Sequence, residues 1–391
     1  MGAESIVTTV VTDNGALLTG NSSFEAVKNI VVKLDRSATD ENIVQMKLSR
    51  ISGSVEVLSP KNAATHVQIQ GLEPVDNLPQ IGKSILLKGG AGEESLVLST
   101  LDVGKGLVFP AGKGIASAFT FGDVSFGSNV SLLGTNTVNL GGETRIDGNL
   151  LITQKTTSTE SFILSAGSEI TGNVVIFAGP GSTSINAYSD VGGHVSVYAG
   201  QGANAFNVSL TAKSLQYVGG SSLDIVALLR GDITGSALFI LAGGNNQLMF
   251  DRGVFDLSGD FTVGKNFSVG GGKDSDLIRL DHSNSPDHSL IVGKKTVFSL
   301  GSGDNIMVWD GASTGTSINY SGGNGVDIVN VFGVDAPDTA LNVDLGGGND
   351  RLLLSNTFAK ASLNGSSGND EIVNGSVLPA KTKLKKFEIG V

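Results

Sequence analysis

The chain contains no cysteine, which excludes disulfides, thiolate metal sites and cysteine nucleophiles. It has 8 prolines in 391 residues and its glycines follow no three-residue period, so a collagen-like triple helix is excluded. Only 16% of residues are charged, and 26 Lys and Arg stand against 37 Asp and Glu. The resulting net charge of −11 argues against broad nucleic-acid binding, which needs a basic face. No apolar run approaches the roughly 20 residues of a membrane span. Helix-forming runs of Ala, Glu, Lys and Leu are scarce. No nucleophile-elbow, metalloprotease or P-loop pattern is present, and Gly270-Gly271-Gly272-Lys273 lacks the P-loop spacing. Met1-Gly2-Ala3-Glu4-Ser5 lacks the basic and apolar regions of a secretory signal, so either a signal has been removed or the chain is a fragment.

What is present is glycine, 55 residues or about one in seven, roughly twice the usual share. Hydrophobic content is 40%, too high for a disordered low-complexity chain. The glycines punctuate short segments of alternating apolar residues. A polar turn position recurs two residues before an apolar one. The turn positions are Asn42, Thr65, Glu94, Ala116, Asn136, Glu160, Thr183, Asn204, Asp224, Asn246, Asp276, Asn305, Asp327, Asp350 and Asp370. Their partners are Val44, Val67, Leu96, Ala118, Val138, Phe162, Ile185, Phe206, Val226, Leu248, Ile278, Met307, Val329, Leu352 and Ile372, all apolar. Eleven of the fourteen intervals lie between 20 and 24 residues.

A unit of about 22 residues with short strands and no helix reads as one coil of a parallel β-solenoid. Each strand has one apolar face and cannot bury it alone; stacking coils closes a continuous core. The expected fold is all-β, a single right-handed parallel β-helix of about 15 coils, with handedness following the rule for parallel crossovers. Residues 1–30 read as a lead-in or cap, 31–375 as coils and 376–391 as an end segment, all in one domain. Ser22–Val27 is expected as a short helix or a strand. Three long intervals predict side loops at Leu72–Gln80, Gly253–Gly264 and Asp281–His288. The end segment is locally basic, with Lys381, Lys383, Lys385 and Lys386 before Phe387-Glu388-Ile389.

The corners between residues 322 and 373 resemble the haemolysin-type, or RTX, nonapeptide GGxGxDxUx, where U is a large apolar residue. Gly322–Asn330 matches throughout; Leu345–Leu353 departs at the first glycine and Gly365–Val373 at the second. Gly271–Arg279 and Gly89–Val97 are poorer copies. The resemblance implies calcium held between adjacent coils, with Asp327, Asp350 and Asp370 as ligands and Gly325, Gly348 and Gly368 giving the turns their positive φ. Asp224 and Asp276 are the less complete candidates. The family repeats its nonapeptide back to back, whereas here one copy falls in each coil, so a single row of sites is implied. The residues themselves leave two alternatives open. Gly with Asn or Asp is what any tight turn selects, and stacked asparagines form a hydrogen-bonded ladder without metal, while three stacked carboxylates about 5 Å apart repel and a cation would relieve them.

Two further groupings are candidates. Arg230, Arg252 and Arg279 follow three successive turns by six, six and three residues and, with Asp232, Asp251 and Asp281, would form a basic and acidic patch. His282 and His288 share one loop with Asp281 and Asp287, a possible metal loop. The leading expectation is a non-enzymatic extracellular or cell-surface structural protein, self-assembling end to end into a fibre or layer and stabilised by calcium. The alternative is a carbohydrate-active β-helix enzyme or an adhesin that binds a surface polysaccharide, with aromatics at only 6% to line its cleft.

Overall fold

The structure, a computed structural model, describes residues 17–20, 29–34, 41–48, 50–71, 80–154, 159–250, 259–280, 289–310, 315–332, 336–355, 358–373 and 378–389. Phe261–Val263, inside the expected loop Gly253–Gly264, is a strand. Ser22–Val27, residues 72–79, 253–258 and Asp281–His288 lie outside the described residues. So do Asp251, Arg252, Asp281, His282, Asp287 and His288. The described residues are all-β, and their strands pair in parallel as stacked coils of a β-solenoid. Two compact units divide the chain, Met1–His194 and Val195–Val391.

In the first unit a full coil carries three strands. One row starts at the corner residues, as in Thr137–Leu140, Glu160–Leu164 and Thr183–Ala187. A second row is short, as in Thr144–Ile146, Glu169–Ile170 and Asp190–Val191. The third row includes Val130–Leu133, Leu150–Thr153 and Val174–Phe177. Glu94–Val103 and Ala116–Phe126 run through the first two rows, with a register shift after Ser99 where the strand turns the corner.

The second unit begins the same way, with Asn204–Ala212 and Asp224–Ile233 covering two rows each. Beyond Leu290–Val292 the short row has no further member among the described residues, and coils alternate between two rows: Ile306–Asp310, Ser317–Gly322, Ile328–Phe332, Ala336–Asp344, Arg351–Leu354 and Phe358–Asn364.

Alternation explains the strands. Thr65–Gly71 buries every second residue, and so does Glu160–Leu164. All fifteen apolar partners expected from the sequence are buried, each 4% exposed or less. They stack in register, for example Val44 on Val67 on Leu96 and Ile278 on Met307 on Val329. The long intervals do not disturb this. Thr65 still pairs with Glu94, and Leu277 with both Gln247 and Ile306, so the stack keeps its register across the long intervals. The second unit fills its core with rings. Phe206 stacks on Tyr217 at 5.2 Å, and Phe298 meets Trp309 edge-on at 5.5 Å.

Candidate functional site

The corner residues form a column inside the core. Each begins a strand or stands one residue before it, and lies two residues before an inward apolar side chain, so strand parity turns it inward as well. All fourteen polar members are at most 4% exposed. A buried polar side chain must find partners, and these find them on the neighbouring coil.

In the first unit, Asn136 Oδ1 accepts from the Ala116 amide at 3.1 Å. Glu94 accepts from the Gly90 amide and, at 3.1 Å, from the Gly112 amide. Glu160 accepts from the Gly179 amide at 2.9 Å and the Thr183 hydroxyl at 3.0 Å. Burial pushes the pKa of both glutamates up, and these donors oppose it.

The second unit carries the regular series Asn204, Asp224, Asn246, Asp276, Asn305, Asp327, Asp350, Asp370. From Asn246 onward, each Oδ1 accepts the backbone N–H of the preceding member: Asp224 to Asn246 at 2.8 Å, Asn246 to Asp276 at 3.2 Å, Asp276 to Asn305 at 3.0 Å, Asn305 to Asp327 at 3.2 Å, Asp327 to Asp350 at 2.7 Å and Asp350 to Asp370 at 3.1 Å. Each Asn also donates from Nδ2 into its own turn and to the next coil. Asn204 Nδ2 reaches Gly200 O at 2.9 Å, Gly202 O at 2.8 Å and Asp224 Oδ1 at 2.7 Å. Asn305 Nδ2 reaches Gly301 O at 3.4 Å, Gly303 O at 3.1 Å and Asp327 Oδ1 at 3.0 Å. An amide nitrogen thus sits among three oxygens at the Asn corners.

Burial raises the Asp224 pKa to about 6, opposed by Asn204, the Tyr217 hydroxyl and the Gly220 amide. Burial does the same at Asp276, to about 6, against bonds from Asn246 and Gly272. Asp327 is also raised by burial, with Tyr320 and Asn305 opposing. Asp350 rises furthest, to about 7, because burial is joined by the charges of Asp327 and Asp370. The Tyr217 and Tyr320 hydroxyls, buried beside carboxylates, are pushed well above their ordinary range, first by burial and then by Asp224 and Asp327 respectively.

Calcium takes six to eight oxygen ligands. The corners do not fit that demand. At Asn204, Asn246 and Asn305 an amide nitrogen already occupies the oxygen ring. At Asp276, Asp327, Asp350 and Asp370, Oδ1 accepts a backbone amide, and at Asp224 it accepts the Asn204 side-chain amide. At Asp224, Asp276, Asp327 and Asp370, Oδ2 lies where a Cβ on Gly219, Gly271, Gly322 or Gly365 would stand, within 2.4 Å of that position. Among the described residues, no group of three His, Asp or Glu side chains could hold a metal ion. Gly325, Gly348 and Gly368 do have the positive φ expected of them, 132°, 143° and 130°, and they use it to turn the chain.

The arginine grouping divides. Arg230 and Asp232 are exposed, Arg279 is half-buried and Arg252 lies outside the described residues. Arg230 pairs with Ser209, whereas Arg279 sits between Met249 and Val308, so the two occupy different columns.

A second feature was not anticipated. In the first unit, Asp102, Ser125, Arg145, Glu169 and Asp190 fall in one outer column. Ser125 donates to Asp102 at 2.6 Å, and Arg145 reaches Glu169 at 2.8 Å and Asp147 at 2.9 Å. With Asp123, Glu143 and Thr100, the first four of that column line a groove of about 550 Å³. Its sequence signal was a polar residue seven to nine positions after each corner residue, read by subtraction from the chain.

Fold and site together define a parallel β-solenoid with an internal polar ladder at one corner. No protein-family model, curated protein or solved structure matches this chain. Among the described residues no helix is long and apolar enough to cross a membrane.

Proposed function

We propose that the chain is a non-enzymatic structural β-solenoid of the cell surface or extracellular space. The observation that carries this reading is where the polar residues of the corners go. The Asp and Asn side chains that chemistry would recruit are buried and bonded to the backbone of neighbouring coils, so they act as scaffold. The turns resemble the haemolysin-type repeat in sequence, and their amide and carboxyl groups bond to each other. The absence of cysteine suits an exported protein that folds without oxidation.

Self-association is part of the same reading, with one restriction. The strand Thr382–Lys385 carries exposed Lys383 and Lys385, and lysines on an edge strand oppose pairing with a further chain. We propose end-to-end association of copies, which Lys383→Ser with Lys385→Ser should strengthen when followed by light scattering.

The groove around Arg145 favours a second reading, an adhesin that binds a polysaccharide. Carboxylates and a guanidinium in a concave site match the hydrogen-bonding groups of sugars. Exposed Phe121, two residues before Asp123, adds an apolar platform. Affinity electrophoresis through gels of neutral and anionic polysaccharides, with a reducing-sugar assay alongside, separates the two. The structural reading expects neither retardation nor cleavage. Retardation that Arg145→Ala abolishes would establish the adhesin, and release of reducing ends that Glu143→Gln abolishes would establish an enzyme.

A further inference from the structure

On the outward side of the first unit, three side chains from successive coils form a line. Asn42, Thr65 and Glu94 are buried corner residues, so strand parity turns the residue after each of them outward. His66 and Ser95 are two such residues, and they pair directly across adjacent coils. They stand 29 residues apart in the chain and meet because the register is kept across that long interval. Glu41, the residue before Asn42, reaches the ring from the preceding coil. His66 Nδ1 is 2.7 Å from Ser95 Oγ, and His66 Nε2 is 3.3 Å from Glu41 Oε1.

These two contacts set the proton positions. A carboxylate only accepts, so in the neutral ring the hydrogen lies on Nε2, facing Glu41. Nδ1 then carries a lone pair, and the Ser95 hydroxyl donates to it. A hydroxyl that donates to an imidazole, itself oriented by a carboxylate, is a nucleophile with its general base in place. His66 and Ser95 are half-buried and Glu41 is exposed, so the line is open to a reactant from solvent.

Apolar surface lies beside it. Val97 follows Ser95 on the same face and pairs with Phe119. Phe119 stacks on Phe121, with ring centroids 6.3 Å apart, and Phe121 is 52% exposed. The backbone around Ser95 is paired on both sides, with His66 on one coil and Ser117 on the next. Its amides are therefore not available to hold a tetrahedral oxyanion.

We infer that Ser95 is a self-acylation site: with His66 as general base it takes an apolar acyl group from an activated ester or thioester and retains it. Ser95 Oγ bonds to the carbonyl carbon, and the bond from that carbon to the leaving oxygen or sulfur breaks. The hydroxyl proton passes to His66 Nδ1 and from there to the leaving group. The product is an alkyl ester, less reactive than its donor. Without an oxyanion site its hydrolysis is slow, so it accumulates. Glu41 is a positioning residue, and Val97 and Phe119 carry the acyl chain. The inference goes beyond the structural reading and is compatible with it, because an acyl group that stays attached gives no turnover.

The test is to treat the full chain with p-nitrophenyl acetate and with p-nitrophenyl octanoate and to map the label by mass spectrometry. An acyl group should appear on Ser95 and be removed by hydroxylamine, which cleaves an ester and leaves a lysine amide intact. Ser95 should label at least about 100-fold faster than Ser117, a serine of the same outward column that has no imidazole beside it. His66→Ala should bring Ser95 down to the Ser117 rate. Glu41→Ala should slow labelling, and Glu41→Gln, whose amide oxygen still accepts from Nε2, should restore part of it. Phe119→Ser should slow the octanoate reaction and leave the acetate reaction unchanged. The inference is overturned if Ser95 labels no faster than Ser117 in the wild-type chain, a comparison that needs no variant. It is also overturned if His66→Ala labels Ser95 at the wild-type rate, or if nitrophenolate release continues steadily past one equivalent and Ser95→Ala stops it.

Discussion

Asn305→Leu should lower the stability of the second unit by at least about 4 kcal/mol. Leucine is close in size to asparagine, so the loss would be one of hydrogen bonds more than of volume. Gly301 O and Gly303 O would lose this donor, and Asp327 Oδ1 would keep only the Asn305 backbone amide at 3.2 Å. The Asp276 amide would also lose its acceptor. Each buried group left unsatisfied costs about 1–3 kcal/mol, and weakening the donors at the Asp327 carboxyl adds to this. Urea unfolding followed by circular dichroism measures the change. Asn305→Gln, which keeps the amide but moves it one carbon outward, should recover only part of it. A leucine variant as stable as wild type would show that the ladder contributes little.

Gly322→Ala should cost more than about 3 kcal/mol, at the upper end for an overpacked core. The added Cβ would stand 1.8 Å from Asp327 Oδ2 and 2.4 Å from the Leu345 carbonyl oxygen. Backbone and a ladder carboxylate both have to move. Gly270→Ala is the matched control, since its Cβ would meet nothing nearer than the Phe239 carbonyl oxygen at 4.0 Å. That substitution should stay within about 0.5 kcal/mol of wild type. Equal effects at the two glycines would remove the steric argument for glycine at these corners.

The repeat frame was legible because it rests on strand parity and a fixed period. Pairing polar with apolar residues two positions apart located fifteen buried partners, and strand pairing places them in register. The same parity implied that the polar member also points inward. Stacked Asn and Asp residues at a fixed period already suggest a hydrogen-bonded ladder, but not which atoms of the neighbouring coil it uses. The alternation of Gly219, Leu241, Gly271, Leu300, Gly322, Leu345 and Gly365, each five residues before a ladder residue, is plain in the sequence. Its meaning depends on which atom fills the space above each Cα, and only coordinates supply that.

The arginine patch was illegible for a different reason. Val208 pairs with Leu228 but Ser209 with Arg230, so Leu229 is an extra residue in the strand. The bulge buries Ala227, Leu228 and Leu229 in succession and turns Arg230 outward, which counting from the corner does not foresee. The groove escaped because its column depends on the register of the short second row, where strands as brief as Glu169–Ile170 carry almost no pattern.

Hydrogen exchange at the ladder amides, in the presence of chelator, tests the central claim most directly. That claim is that the backbone amides and side-chain Oδ1 atoms of the corner column form a hydrogen-bonded ladder that holds without metal. The amide protons of Asp224, Asn246, Asp276, Asn305, Asp327 and Asp350 each bond to a buried oxygen of the next coil. They should exchange as slowly as the core strand amides, at the same rate with or without calcium. Rapid exchange at these six positions until calcium is added would contradict the account.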